Sequence, residues 1–276
     1  MTERTFFDEW PGREVDFARE GASTWTLTKV ISEKNSQASG DDFYKHRVIG
    51  GAYGTFLCHD LLDGTRRGVM KIFMQYIPLP RPNEALHSSC ILRVPFEGTE
   101  YAPAEFRASQ ASASYGRDFF ITSQVDALRT LTINGCQSTP SIMIMKNDLQ
   151  KETDPVPGGY ILFILMNYLP GVQLSEAIFW GLDASGREQI RQAFKLAWLD
   201  CLSSGILPAL QDIEHVFWDG AANKAYITSF RMSEPAGADI VWRDTQWIAW
   251  DMAKPQDKYG WYKDKNPHPD MSKWTL

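Results

Sequence analysis

The stretch "ILPALQDIEHVFWDGAANKAYITSF", Ile206–Phe230, decides how the chain is read. An apolar pair opens it, the polar run "QDIEH" follows, and "VFW" leads through a Gly- and Asn-containing turn into "AYITSF". Turn residues between two short apolar runs predict a hairpin. The polar run places Asp212, Glu214 and His215 on a loop at the foot of that hairpin. Loops held by regular elements carry a disproportionate share of functional side chains.

Composition bounds what such a loop can serve. The chain has 276 residues, 43% hydrophobic and 22% charged, which is ordinary for a soluble globular protein with length for one large domain or two lobes. A net charge of −6 gives no basic face, so neither nucleic acid nor an anionic membrane is an expected partner. Cys58, Cys90, Cys136 and Cys201 form no CxxC pair and no metal-ligand spacing, so no metal site is expected and the thiols read as buried and reduced. "MTERTFFDEWPGREVDF" has no apolar signal region, and the most apolar run, Tyr160 to Leu169, is half a membrane span. A cytoplasmic location follows as an expectation. Of the ten tryptophans, Trp242, Trp247, Trp250 and Trp261 crowd the C-terminal part, where core packing and the lining of an apolar pocket are both open readings.

Along the chain, Lys45 to Ile77 reads as strand, turn, strand. Gly50, Gly51 and Gly54 punctuate the first turn, and "LDGTRRG" is a hairpin loop. Prolines 78, 80 and 82 end the sheet and begin a poorly structured insertion to about Tyr101. Val125, Leu128 and Leu131 predict a helix from about Arg117 to Thr132. "PSIMIMKND" and "GGYILFILMNYL" are two further strands, and "SEAIFWGL" and "DASGREQIRQAFKLAWLDCLSSG" are helical. Asp183 or Ser185 starts the second helix and Gly205 stops it. The order predicts an α+β chain with two unequal lobes.

Five ordered pieces resemble the protein-kinase-like superfamily, specifically the divergent small kinase-like proteins common in fungi and related to aminoglycoside phosphotransferases. "IGGAYGTF" resembles a glycine-rich phosphate loop, and "RGVMKIF" the strand bearing the phosphate-binding lysine, here Lys71. "QVDALRTL" resembles the helix whose glutamate pairs with that lysine, with Gln124 at the glutamate position. "LMNYLPGVQL" resembles the hinge, where Met166 to Tyr168 would edge an adenine pocket, and the opening stretch resembles the catalytic loop and metal-binding strand. The resemblance implies a two-lobed protein-kinase-like fold. Residues 1–165 would form a small β-rich N-lobe with a long insertion (about 78–116), and residues 166–276 a truncated, mostly helical C-lobe with an aromatic tail, in one compact unit.

The chemistry positions depart from that pattern. Relatives read "GVLHGDVELRNVLW" and then "LIDF"; laid on this chain, Pro208 takes the histidine position and Leu210 that of the proton-accepting aspartate. His215 replaces the metal-binding asparagine, and Ser229 the aspartate that holds magnesium. Phosphoryl transfer is positioning and charge neutralisation, and a leucine and a serine supply neither.

Three functions remain open. In the first, the inter-lobe cleft serves non-phosphoryl acid/base chemistry on a small organic molecule: cyclisation, isomerisation, dehydration or condensation, of the kind used in secondary metabolism. Candidate catalytic groups are His215, Asp212, Glu214 and Lys71, and candidate ligand-binding residues are Tyr53, Gln124, Met166, Tyr168, Trp218 and Ser229. No cofactor is expected, and the partner is a small-molecule substrate. The second is a pseudokinase scaffold without turnover. The third is a residual ATP-dependent phosphotransferase, with Asp212 shifted into the aspartate's role. The 46 residues after Phe230 offer no expected platform for a protein substrate.

Overall fold

The computed structural model describes residues 6–21, 23–36, 50–76, 104–109, 111–116, 118–257, 260–263 and 266–276. By internal contacts the chain divides into two units, Met1–Thr122 with Ile142–Tyr168 and Ser123–Ser141 with Leu169–Leu276.

The first unit is built on strands β1 (Glu14–Val15), β2 (Trp25–Ser36), β3 (Gly50–Asp60), β4 (Arg67–Tyr76), β5 (Ile142–Leu149) and β6 (Tyr160–Asn167), with helix α1 (Ala104–Ser109). They form one antiparallel sheet in the order β1-β2-β3-β4-β6-β5. Period-2 alternation decides what each face receives. Ala52, Phe56 and Cys58 of β3 and Met70, Ile72 and Met74 of β4 turn to one face, where Phe7, Trp10, Phe17 and Trp25 complete the core. The other face is partly covered: Phe73, Leu162, Ile164 and Met166 are buried, while Tyr53, Thr55, Val69 and Lys71 are half-buried. Two bulges bend β2 against β3, between Leu27 and Lys29 and between Val30 and Ser32.

The turn expected at Gly50, Gly51 and Gly54 is corrected: these residues lie inside β3, opposite Tyr76, Gln75 and Ile72. Gly54 is there for space. A Cβ at Gly54 would fall 2.6 Å from the Phe56 ring and 3.1 Å from that of Phe7. A phosphate loop between β2 and β3 would fall on residues 37–49, outside the described residues, as does most of the insertion at about 78–116.

The second unit holds α2 (Phe119–Ile133, entered from the first unit), β7 (Val172–Gln173), α3 (Glu176–Trp180) and α4 (Ala184–Ser203). It continues with β8 (Ile206–Leu207), β9 (Val216–Asp219), β10 (Lys224–Ile227), β11 (Glu234–Pro235) and α5 (Gln246–Ala249). Asp118 opens α2 by accepting from the amides of Phe120 and Ile121, and Asp183 opens α4 by accepting from that of Gly186. Gly205 follows α4 at φ 91°. Ile190, Phe194, Ala197, Trp198 and Cys201 make the buried face of α4. Trp242 packs 5.4 Å from Trp198 and 5.7 Å from Trp247, and Trp250 4.9 Å from Phe194, so three of the four crowded tryptophans are core. The opening stretch folds as β8, a loop and the β9–β10 hairpin, whose turn holds Asn223 at φ 49°. Among the described residues no helix is long and apolar enough to cross a membrane.

Two predictions follow from this packing. Gly171 sits at φ 98°, and an added Cβ would overlap the Trp218 carbonyl. Gly171→Ala is therefore expected to destabilise by about 2–4 kcal/mol in denaturant melts, and a change near zero would refute this close approach. In the first unit, the buried Asp60 carboxylate accepts from Ser23 Oγ at 2.5 Å, Leu62 N at 2.9 Å and Arg66 Nη1 at 2.7 Å. The Ser23 hydroxyl, then the amides and Arg66, hold this carboxyl below the ordinary aspartate range. Its contribution is present above the unfolded-state value near 3.9 and is lost as pH falls through the lower folded value. Asp60→Asn should lower Tm at neutral pH, with the gap to wild type closing in acid; a gap constant with pH would refute the assignment.

Candidate functional site

In the second unit, the residues around Asp212–His215 are pinned from several sides. Asp212 is extended and its side chain accepts from Glu214 N at 2.8 Å, capping a 3-10 turn over Ile213–His215. His215 N donates to Asp212 O at 3.0 Å, and the His215 carbonyl accepts twice from Thr228, from its amide at 2.9 Å and its hydroxyl at 3.1 Å. Gln173 Nε2 donates to the Glu214 carbonyl at 2.7 Å, and Leu174 N to that of Val216 at 2.8 Å. The turn thereby becomes part of the scaffold formed by β7, β9 and β10.

His215 is half-buried, and its Nδ1 lies 3.2 Å from the Leu210 carbonyl. A carbonyl can only accept, so the neutral ring carries its proton on Nδ1 and its lone pair on Nε2. Leu210 thus meets the imidazole through its main-chain carbonyl.

Sequence reasoning missed Asp251. It stands just after α5 at φ 57°, left-handed backbone that aspartate tolerates better than most side chains. Partial desolvation, then the charges of Glu176 and Asp212, push its carboxyl above the ordinary range. Nothing in "AWDMAKP" signals this, because the contacts arise from elements far apart in sequence.

Asp212, Glu214 and His215 share this turn; Trp218 is half-buried in β9, and Ser229 half-buried just after β10. Glu214 itself is exposed. Gln124 is buried in α2. Among the described residues no group of three or more His, Cys, Asp or Glu is placed to hold a metal ion.

The remaining candidates belong to the first unit. Lys71 pairs with Thr55 and Ile164, Tyr53 with Phe73, and Met166 with Val69, so Tyr53, Lys71 and Met166 share one sheet face. The Tyr53 hydroxyl donates to Asp118 Oδ2 at 2.7 Å. Tyr168, just past β6, carries the Arg67 guanidinium 4.0 Å above its ring. Burial of the Lys71 amine, with a smaller repulsion from Lys34, pulls its pKa down to about 8.

That depression has a testable sign. Between about pH 8 and the unperturbed lysine value near 10.4, the unfolded chain still binds a proton the folded chain has released, so stability rises with pH across this window. Lys71→Met should lose that rise in thermal melts. Parallel curves for variant and wild type would show that the amine titrates normally.

No protein-family model matches the chain, and no curated protein matches it. Among solved structures it is similar to the Cydia pomonella granulovirus kinase PK-1, at 10% identity and a TM-score of 0.42, over 84% of this chain. The chain spans 62% of the length of that kinase chain.

Proposed function

We propose that the chain has a protein-kinase-like fold whose phosphotransfer residues are replaced, and that it turns over a small organic molecule by acid/base chemistry centred on His215. The fold reading is supported by an antiparallel-sheet unit with Lys71 on an inner strand and a helical unit holding the loop and hairpin. The functional reading is carried by one observation, the Nδ1 contact of His215 with the Leu210 carbonyl. It supports Nδ1 as the protonated nitrogen and Nε2 as the basic one, as a general base aimed in one direction requires. Asp251, whose carboxyl holds its proton more readily than an ordinary aspartate, is the acid counterpart. Such a pair removes a proton at one atom and returns it at another, which is the chemistry of isomerisation, dehydration, cyclisation and condensation.

A scaffold without turnover is the second reading. It is favoured by the Asp212 carboxylate, which accepts from Glu214 N and so serves as a cap.

Two measurements test the proposal. Thermal-shift titration with ATP should give no Mg²⁺-dependent rise in Tm; ligand at a hundred times its Kd would stabilise by about 2.7 kcal/mol, and such a rise would restore the kinase reading. Incubation with a pooled extract of small metabolites, followed by mass spectrometry, should show a substrate consumed by wild type. His215→Ala should reduce that rate on the order of 10²–10⁴-fold with the fold intact. A product formed equally by the variant would refute His215 as the base, and no product from any extract would favour the scaffold.

A further inference from the structure

Strands β1 and β5 are the two ends of the sheet order in the first unit, yet Lys146 Nζ of β5 donates to Asp16 O, just after β1, at 3.1 Å. The sheet therefore curls towards closure, and Trp25 of β2 and Ile144 of β5 line one cleft of about 420 Å³. Gly68 makes room for its floor. An added Cβ there would lie 2.9 Å from the Trp25 indole and 3.0 Å from Leu165, so the bare backbone lets these two buried side chains meet. Met143 extends the apolar lining, and Ser23 and Arg66 add its polar groups.

Arg66 is the charged member of that lining. Its Nη1 donates to Asp60 Oδ2 at 2.7 Å, and its guanidinium carbon stands 5.5 Å from the Trp25 ring centre. Asp60 does not use the guanidinium up, because Ser23 Oγ at 2.5 Å and Leu62 N at 2.9 Å already meet its carboxylate. The Arg66 side chain stays 52% exposed, and its other N–H groups have no partner among the described residues. A planar fork of unused donors beside an apolar floor suits a carboxylate carried on a hydrocarbon body. Asp60 limits the charge of the occupant, since a dianionic phosphate would be repelled by that carboxylate more than a monoanion is.

We propose that this cleft binds a medium-chain monocarboxylate, with its head group on Arg66 and its chain along Trp25, Leu165, Ile144 and Met143. The cleft volume falls in the range of small-molecule sites, about 300–1,000 Å³. Contact with the apolar floor supplies affinity, and the guanidinium supplies selectivity for the sign of the head group. The site uses residues of the first unit alone and does not depend on the chemistry proposed for His215.

Isothermal titration calorimetry of the full chain with octanoate, octanamide and octylamine tests this. Octanoate should saturate one site, and octanamide should bind on the order of ten- to a hundredfold more weakly, the loss of a charge-assisted hydrogen bond. Octylamine should bind more weakly still. In Arg66→Gln, octanoate and octanamide should bind alike. Met143→Trp fills the cleft from an exposed position with Arg66 in place, and should weaken both ligands together. That variant carries the test if Arg66→Gln does not fold. Octanamide binding wild type as tightly as octanoate would overturn the proposal, as would no saturable octanoate binding tighter than about 1 mM. A preference for octanoate retained in Arg66→Gln, or an affinity unchanged in Met143→Trp, would overturn it equally.

Discussion

Strand β4 is bonded on both edges, to β3 on one side and β6 on the other, and this double ladder sets the terms for the first unit. Met70, Ile72 and Met74 fill the buried face of this strand, while Val69 and Lys71 on the other face are half-buried and Phe73 is buried. The depressed pKa of Lys71 comes from desolvation of its amine on that second face. Tyr53 and Met166 share its face, being fixed by register through Phe73 and Val69. The bulged β2 and the Asp60-bound turn finish the sheet around this inner strand.

The second unit depends on hydrogen bonds more than on ladders. Its strands are two to four residues long, too short to order a loop by pairing alone. The 3-10 turn instead borrows rigidity from Thr228 and Gln173, which come from two separate parts of the chain. Main-chain carbonyls and amides thus keep the turn in place.

Much of the fold was legible because local signals agreed with tertiary demand. Val125, Leu128 and Leu131 predicted a helix and are buried in α2. Asp183 and Gly205 bracket α4 by capping chemistry that operates within a few residues. The "LDGTRRG" hairpin was readable for the same reason. The glycine cluster was not, since Gly54 answers to the rings of Phe7 and Phe56 and its own backbone makes no turn. At the candidate site, sequence placed Asp212, Glu214 and His215 together because they are adjacent. Asp251 stayed hidden, because its charged neighbours Glu176 and Asp212 come from distant parts of the chain and no spacing rule encodes that.

The packed indoles of the second unit carry an optical consequence. Trp198, Trp242 and Trp247 form a chain of edge-on rings with centroids 5.4 and 5.7 Å apart, and the Lys195 ammonium lies 5.3 Å from the Trp242 ring centre. Chromophores held this close in a chiral setting exchange excitation, so the cluster adds a coupled signal to the near-ultraviolet circular dichroism of this unit. Trp10 and Trp25 belong to the core of the first unit. The protein therefore carries an intrinsic spectroscopic label in each unit, and the order of their melting can be read from light alone.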